Sequence, residues 1–188
     1  MRLIVAITGA SGVKYSKRLL EELQHKKIET HLVISQAAKK IIKFEFGSSE
    51  KKIEELASYV YEINDWSCPI VSGSFKTDGM IIIPCSMKTL AGIANGFATN
   101  VILRAADVTL KEKRKLILVP RETPLNSIHL KNMLELSNLG GYILPAMPAF
   151  YHKPKNIDDL IDFIVGRILD LLNIEHSLYQ RWNNAKHD

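Results

Sequence analysis

"LIVAITGASGVKY", residues 3–15, runs from an unbroken apolar stretch through a threonine, two glycines and a serine into a helical pattern that starts at Val13. Apolar residues without polar alternation predict a strand covered on both faces, as in a parallel sheet. Glycines and a serine at a helix entrance let backbone N–H groups approach an anion, and the helix dipole adds about half a positive charge there. The spacing is not G-x-G-x-x-G and no Walker lysine follows, so the loop fits neither a dinucleotide fingerprint nor a triphosphate loop. A phosphate seat and a plain tight turn both stay open.

Working outward, apolar runs of strand length recur at 31–34, 59–63, 80–83, 116–119 and 142–144, the second of these the weakest. Helical patterns fill the gaps at 13–26, 36–46, about 87–98, about 101–113, 126–138 and about 157–172. Such β–α alternation predicts a three-layer, doubly wound α/β fold, with ligands bound beyond the carboxyl ends of the strands.

The chain has 188 residues, 46% hydrophobic and 24% charged, the composition of one soluble globular domain. No apolar run reaches the roughly 18 residues of a membrane span, and the N-terminal run is too short for a signal peptide, so no membrane association is expected. Cys68 and Cys85 form no C-x-x-C pair and have no histidine at metal spacing, which argues against structural zinc and for a reducing, cytoplasmic setting. The formal charge of +5 suits an anionic ligand, but basic residues alternate with acidic ones, and no basic–aromatic surface pattern points to nucleic acid.

The remaining strand ends carry candidate chemistry. "IIIPCSMKT", residues 81–89, sets Ser86, Met87, Lys88 and Thr89 at the first turn of a helix. That arrangement suits a phosphate cradle, although an inert cysteine in an ordinary cap and a nucleophilic Cys85 are alternatives. "NDWSCPIVSGSFKTDG" is long enough to be functional or a surface excursion. Arg121 and Glu122 lie between two prolines, as a guanidinium beside a carboxylate or as a structural ion pair. Arg104 and Lys111 are two turns apart on one helix face, available to an anion or simply solvated. "LPAMPAFYHKPKN" holds Tyr151 and His152 in a stiff loop, and Arg167 interrupts an apolar helix face, where it calls for an anionic partner. "DDLID", residues 158–162, mimics a magnesium–diphosphate motif, but Asn156 and two first-turn aspartates are explained as a helix start.

In order, "TGASGVKY", "NDWSCPIVSGSF", "IIIPCSMKTLAGIANG", "RAADVTLKEKRKLILVPRETPL", "HLKNMLELSNLGGYILPAMPAFYHKP" and "DDLIDFIVGRILD" resemble the UbiX family of flavin prenyltransferases over about residues 2–172. The resemblance implies a six-stranded Rossmann-like sheet of order 3-2-1-4-5-6 in a single domain, 1–175, with a tail, 176–188, that packs at a neighbour's active site. It implies a homododecamer with sites between subunits. The activity implied is transfer of a dimethylallyl group from dimethylallyl phosphate to N5 and C6 of reduced FMN, without metal, giving the prenylated flavin used by UbiD-type decarboxylases. Gly9, Ala10, Ser11, Ser35, Ser86, Met87, Lys88, Thr89 and Arg121 would bind FMN. Tyr151, Arg167, Arg104 and Lys111 would bind the allylic phosphate. Glu45, Glu122, Lys111, Ser11 and Trp182 would be catalytic.

Two alternatives accompany this reading. One is an FMN-dependent decarboxylase of the cysteine-decarboxylase group, which by resemblance needs an early active-site histidine; only His25 and His31 precede Ser35, neither beside the glycine loop. The other is a non-catalytic flavin carrier.

Overall fold

The computed structural model describes residues 1–47 and 49–182. Residues 1–146 form one compact unit built on a parallel sheet. Its strands are β1 (Arg2–Ile7), β2 (Glu29–Ile34), β3 (Tyr59–Tyr61), β4 (Gly79–Cys85), β5 (Lys115–Pro120) and β6 (Tyr142–Ile143), in spatial order β3-β2-β1-β4-β5-β6. Every neighbouring pair is parallel. Helices α1 (Val13–His25), α2 (Gln36–Phe46), α3 (Lys51–Glu54), α4 (Met87–Ala94), α5 (Val101–Lys111) and α6 (Ser127–Asn138) connect them.

The apolar runs behave as their lack of alternation predicts. All seven residues of β4 are buried, as are five of six in β1, β2 and β5. β3, at the sheet edge, leaves Tyr59 and Val60 exposed, which accounts for its weaker pattern. β4 extends past the expected end at Ile83 through Pro84 to Cys85, because its register against β5 shifts between Ile82 and Cys85. The irregularity lets the strand pass a residue that has no N–H to give the ladder.

Helix starts follow local chemistry. Ser35, Ser86, Asn100 and Asn126 each accept a hydrogen bond from the backbone N–H three residues on. The short helix α3 is absent from the sequence expectation, since four residues show no helical period. The long 62–78 segment contains a 3-10 turn, Pro69–Val71, and is pinned by two arginines. Arg114 donates to the carbonyls of Gly73 at 2.7 Å and Phe75 at 2.8 Å, and Arg104 Nε to that of Val71 at 3.2 Å.

A second compact unit begins at Met147. Its helix, α7 (Ile157–Leu171), starts at Asn156, whose side chain accepts from the Asp159 N–H at 3.0 Å. Asp159 in turn accepts from the Lys155 N–H at 2.6 Å. The "DDLID" stretch is thus a helix start, and among the described residues no three metal-ligating side chains gather. Residues 183–188 of the expected tail lie outside the described ones.

Candidate active site

The strand order reverses between β1 and β4, and the loops leaving their carboxyl ends lie side by side. A residue not singled out from the sequence fastens them together. Thr8 Oγ1 donates to the Pro84 carbonyl at 2.8 Å and accepts from the Ser86 N–H at 2.8 Å, while its own N–H reaches the Pro84 carbonyl at 3.2 Å. Only its position at a strand end hints at this role.

The glycine loop follows. A Cβ on Gly9 would sit 2.5 Å from Ala37 Cβ, so the loop presses on the first turn of α2 as no larger residue would allow. Gly12 takes φ +110° to enter α1. Glu45, near the far end of α2, directs its carboxylate at this helix start: Oε1 accepts from the Gly12 N–H at 2.8 Å and Oε2 from the Val13 N–H at 2.9 Å. The anion seat inferred from "TGASGVKY" is thereby occupied at its helix N-terminus by the chain's own carboxylate. Ala10 is buried, Ser11 is exposed, and Ser35 caps α2 by accepting from Ala38 N–H at 3.1 Å.

At β4, Ser86 caps α4. Its Oγ accepts from the Thr89 N–H at 3.4 Å and bonds the Thr89 hydroxyl at 3.1 Å, with Met87 half-buried and Lys88 exposed. Cys85 is completely buried, and burial pushes its thiol far above the ordinary cysteine range. A nucleophile needs accessible thiolate, so that alternative fails. Arg121, just past β5, donates its N–H to the Cys85 carbonyl at 3.3 Å, and its buried Nε has no hydrogen-bond partner. A buried guanidinium N–H without an acceptor fits a ligand oxygen arriving there. Glu122 is exposed and accepts from the Thr123 N–H at 3.0 Å. The Gly9–Ser11, Ser86–Thr89 and Arg121 segments therefore share the carboxyl edge of the central strands.

Arg104 and Lys111 lie on α5, the latter away from that edge. Both face the 71–73 segment as their spacing predicts: Arg104 bonds the Val71 carbonyl, and a Cβ on Gly73 would lie 2.8 Å from Lys111 Nζ. Lys111 precedes the amino end of β5 and Arg121 follows its carboxyl end, a separation of roughly 20 Å for six residues. Arg104 pairs with Asp107 at 2.6 Å, and Lys111 with Glu112.

His31 cannot serve as a flavoprotein-decarboxylase histidine at the glycine loop. It is buried on β2, with Nδ1 2.8 Å from the Tyr61 hydroxyl and Nε2 2.8 Å from Glu29. Burial lowers its pKa more than Glu29 raises it.

In the second unit, Tyr151 meets Trp182 edge to face at 5.4 Å and Phe163 at 5.9 Å. His152 stacks on Phe163 at 5.2 Å with both ring nitrogens buried and unpartnered. Arg167 is exposed at the margin of the apolar face of α7, with Phe163 and Ile164 buried one turn before it. The anionic partner it called for is Asp170, 3.1 Å away, and Arg167 Nη1 also reaches Tyr179 Oη at 3.4 Å. Asp170 further accepts from Tyr179, Arg181 and His176. Burial would raise its carboxyl, but bonds from Arg181, Tyr179 and His176 outweigh that and hold it at about 2. The i, i+3 spacing from Arg167 was a legible sign of this pair.

A doubly wound parallel sheet with ligand-ready loops at its switch point defines a nucleotide- or flavin-binding protein. Residues 1–169 match the Flavoprotein family, and the chain belongs to it. Within that family it stands among the UbiX flavin prenyltransferases: it is 57% identical to flavin prenyltransferase UbiX of Methanocaldococcus jannaschii, over 98% of this chain and all of that one. A solved structure of AnUbiX in complex with FMN and dimethylallyl pyrophosphate superposes with TM-score 0.96 at 50% identity, covering 98% of each chain. The dodecameric FMN-dependent UbiX-like decarboxylase of Escherichia coli O157:H7 gives 0.95 at 50% identity, covering 98% of this chain and 100% of that one. Peptidyl-cysteine decarboxylase EpiD, at 19% identity and TM-score 0.60, shares the fold alone.

Proposed function

We propose that this chain is a flavin prenyltransferase that joins the dimethylallyl group of dimethylallyl phosphate to reduced FMN. The observation that carries the reading is 50% identity over 98% of the chain to a protein solved with FMN and a dimethylallyl donor. When bound, reduced FMN supplies N5 and C6, the two atoms that take the C5 unit. Gly9, Ala10, Ser11, Ser35, the Ser86–Thr89 turn and Arg121 hold it, with the unpartnered Arg121 Nε donating to one of its oxygens.

An allylic monophosphate leaves reluctantly, so charge on the departing phosphate must be stabilised as the carbon–oxygen bond breaks. Tyr151 and Arg167 bind that phosphate. Lys111, before the amino end of β5, acts on it from a neighbouring subunit of a homo-oligomer, with Arg104 two turns away on the same helix face, as the dodecameric relative suggests. Trp182 provides an aromatic face for the allylic cation. Glu122, exposed beside Arg121, is the candidate for proton transfer, with Ser11 on the glycine loop as a further hydroxyl. Glu45, with both oxygens engaged by Gly12 and Val13, shapes the loop instead. No step calls on a metal. The protein works in the cytoplasm and its product passes to a UbiD-type decarboxylase.

Incubation with reduced FMN and dimethylallyl phosphate, followed by mass spectrometry of the extracted flavin, should show a species heavier by one C5 unit together with free phosphate. Folded, FMN-loaded protein that yields neither is a carrier and not a transferase.

A further inference from the structure

We propose that Asp170 is a positioning residue: it holds the Arg167 guanidinium, and through Tyr179 the chain beyond α7, in the arrangement that grips the phosphate of the allylic donor. This rests on the reading of Arg167 as a donor-phosphate ligand.

Arg167 is exposed, and a long side chain left to itself there samples many rotamers and loses that freedom when it is finally fixed. Here it is fixed beforehand. Its Nη1 donates to Asp170 Oδ2 at 3.1 Å and to Tyr179 Oη at 3.4 Å, and Tyr179 Oη donates to the same Oδ2 at 2.6 Å. The other oxygen, Oδ1, receives Arg181 at 2.5 Å and His176 Nε2 at 3.1 Å. Every lone-pair direction of one carboxylate is thus in use.

The segment from His176 to Trp182 is brought onto α7 by the same hub. Gly166 makes room for it: a Cβ there would lie 2.6 Å from the Tyr179 ring and 2.7 Å from His176. Tyr179 also packs on Phe163 at 4.9 Å, and Trp182 closes on Tyr151 at 5.4 Å. Two arginines share one carboxylate, so the cluster keeps a net positive charge and an anion is still attracted. Preorganisation of this kind lowers the cost of binding without touching the flavin.

The test is steady-state prenyl transfer with dimethylallyl phosphate varied at saturating reduced FMN, alongside FMN affinity by fluorescence and thermal midpoints. Asp170→Asn should raise KM for dimethylallyl phosphate about tenfold and Tyr179→Phe about threefold, with FMN affinity unchanged. Asp170→Glu should recover part of the loss. Tyr179→Phe keeps the ring and its packing, so it decides the matter if Asp170→Asn does not fold. Unchanged KM in folded Tyr179→Phe and Asp170→Asn overturns the proposal, as does loss of FMN affinity in step with the thermal midpoint. Wild-type protein without turnover removes both this proposal and the reading beneath it, whereas wild-type turnover with unaltered variants removes this one alone.

Discussion

Cys85 and Ser86 are neighbours with opposite assignments. The thiol is sealed in the core, held protonated by burial, and Cys85→Ala should keep prenyl transfer within about twofold while costing about 1 kcal/mol of stability from the small void. Ser86→Glu would place a carboxylate at the start of α4 and should abolish FMN binding, read by loss of bound flavin on purification. Asp170 offers a second residue-level outcome. Its folded pKa of about 2 lies below its usual 3.8, so its contribution is complete above about pH 4 and disappears as pH falls toward 2. The size is at most about 2 kcal/mol, discounted because its arginine partners are half exposed. Acid unfolding followed by circular dichroism should therefore show a weaker pH dependence between 4 and 2 in Asp170→Asn than in the wild type.

At the scale of elements, what was legible was what repeats. Continuous apolar runs mark β1, β2, β4 and β5 because both faces are covered, and the capping residues Ser86 and Asn156 announce their helices. What was not legible depends on tertiary partners. Nothing near Glu45 in the chain says that it turns back to the start of α1, and Thr8 looks like the end of a strand until β4 lies next to it. The loop after β1 is tested through its contact with α2: Gly9→Val must displace Ala37, and FMN affinity should fall at least about tenfold in a protein that still folds.

The whole molecule poses a question of assembly. Lys111 lies before the amino end of β5 while Arg121 follows its carboxyl end, so a site using both draws on two chains. Lys111→Ala and Arg121→Ala should each be inactive alone. Mixed assemblies prepared by joint refolding should recover roughly a quarter of wild-type turnover per site, the random fraction in which both intact residues meet. No recovery would place both residues in one chain's site. Among the described residues no helix is long and apolar enough to cross a membrane.

The carboxylate of Glu45 at the start of α1 also bears on which nucleotide the fold accepts. In dinucleotide-binding relatives of this architecture, the first βα turn is where a pyrophosphate rests. Here the Gly12 and Val13 N–H groups at that turn are already taken by the Glu45 carboxylate, a fixed negative charge expected to disfavour a second phosphate. FAD should accordingly bind at least about tenfold more weakly than FMN, and Glu45→Gln, by removing the repulsion, should narrow the gap in side-by-side titrations.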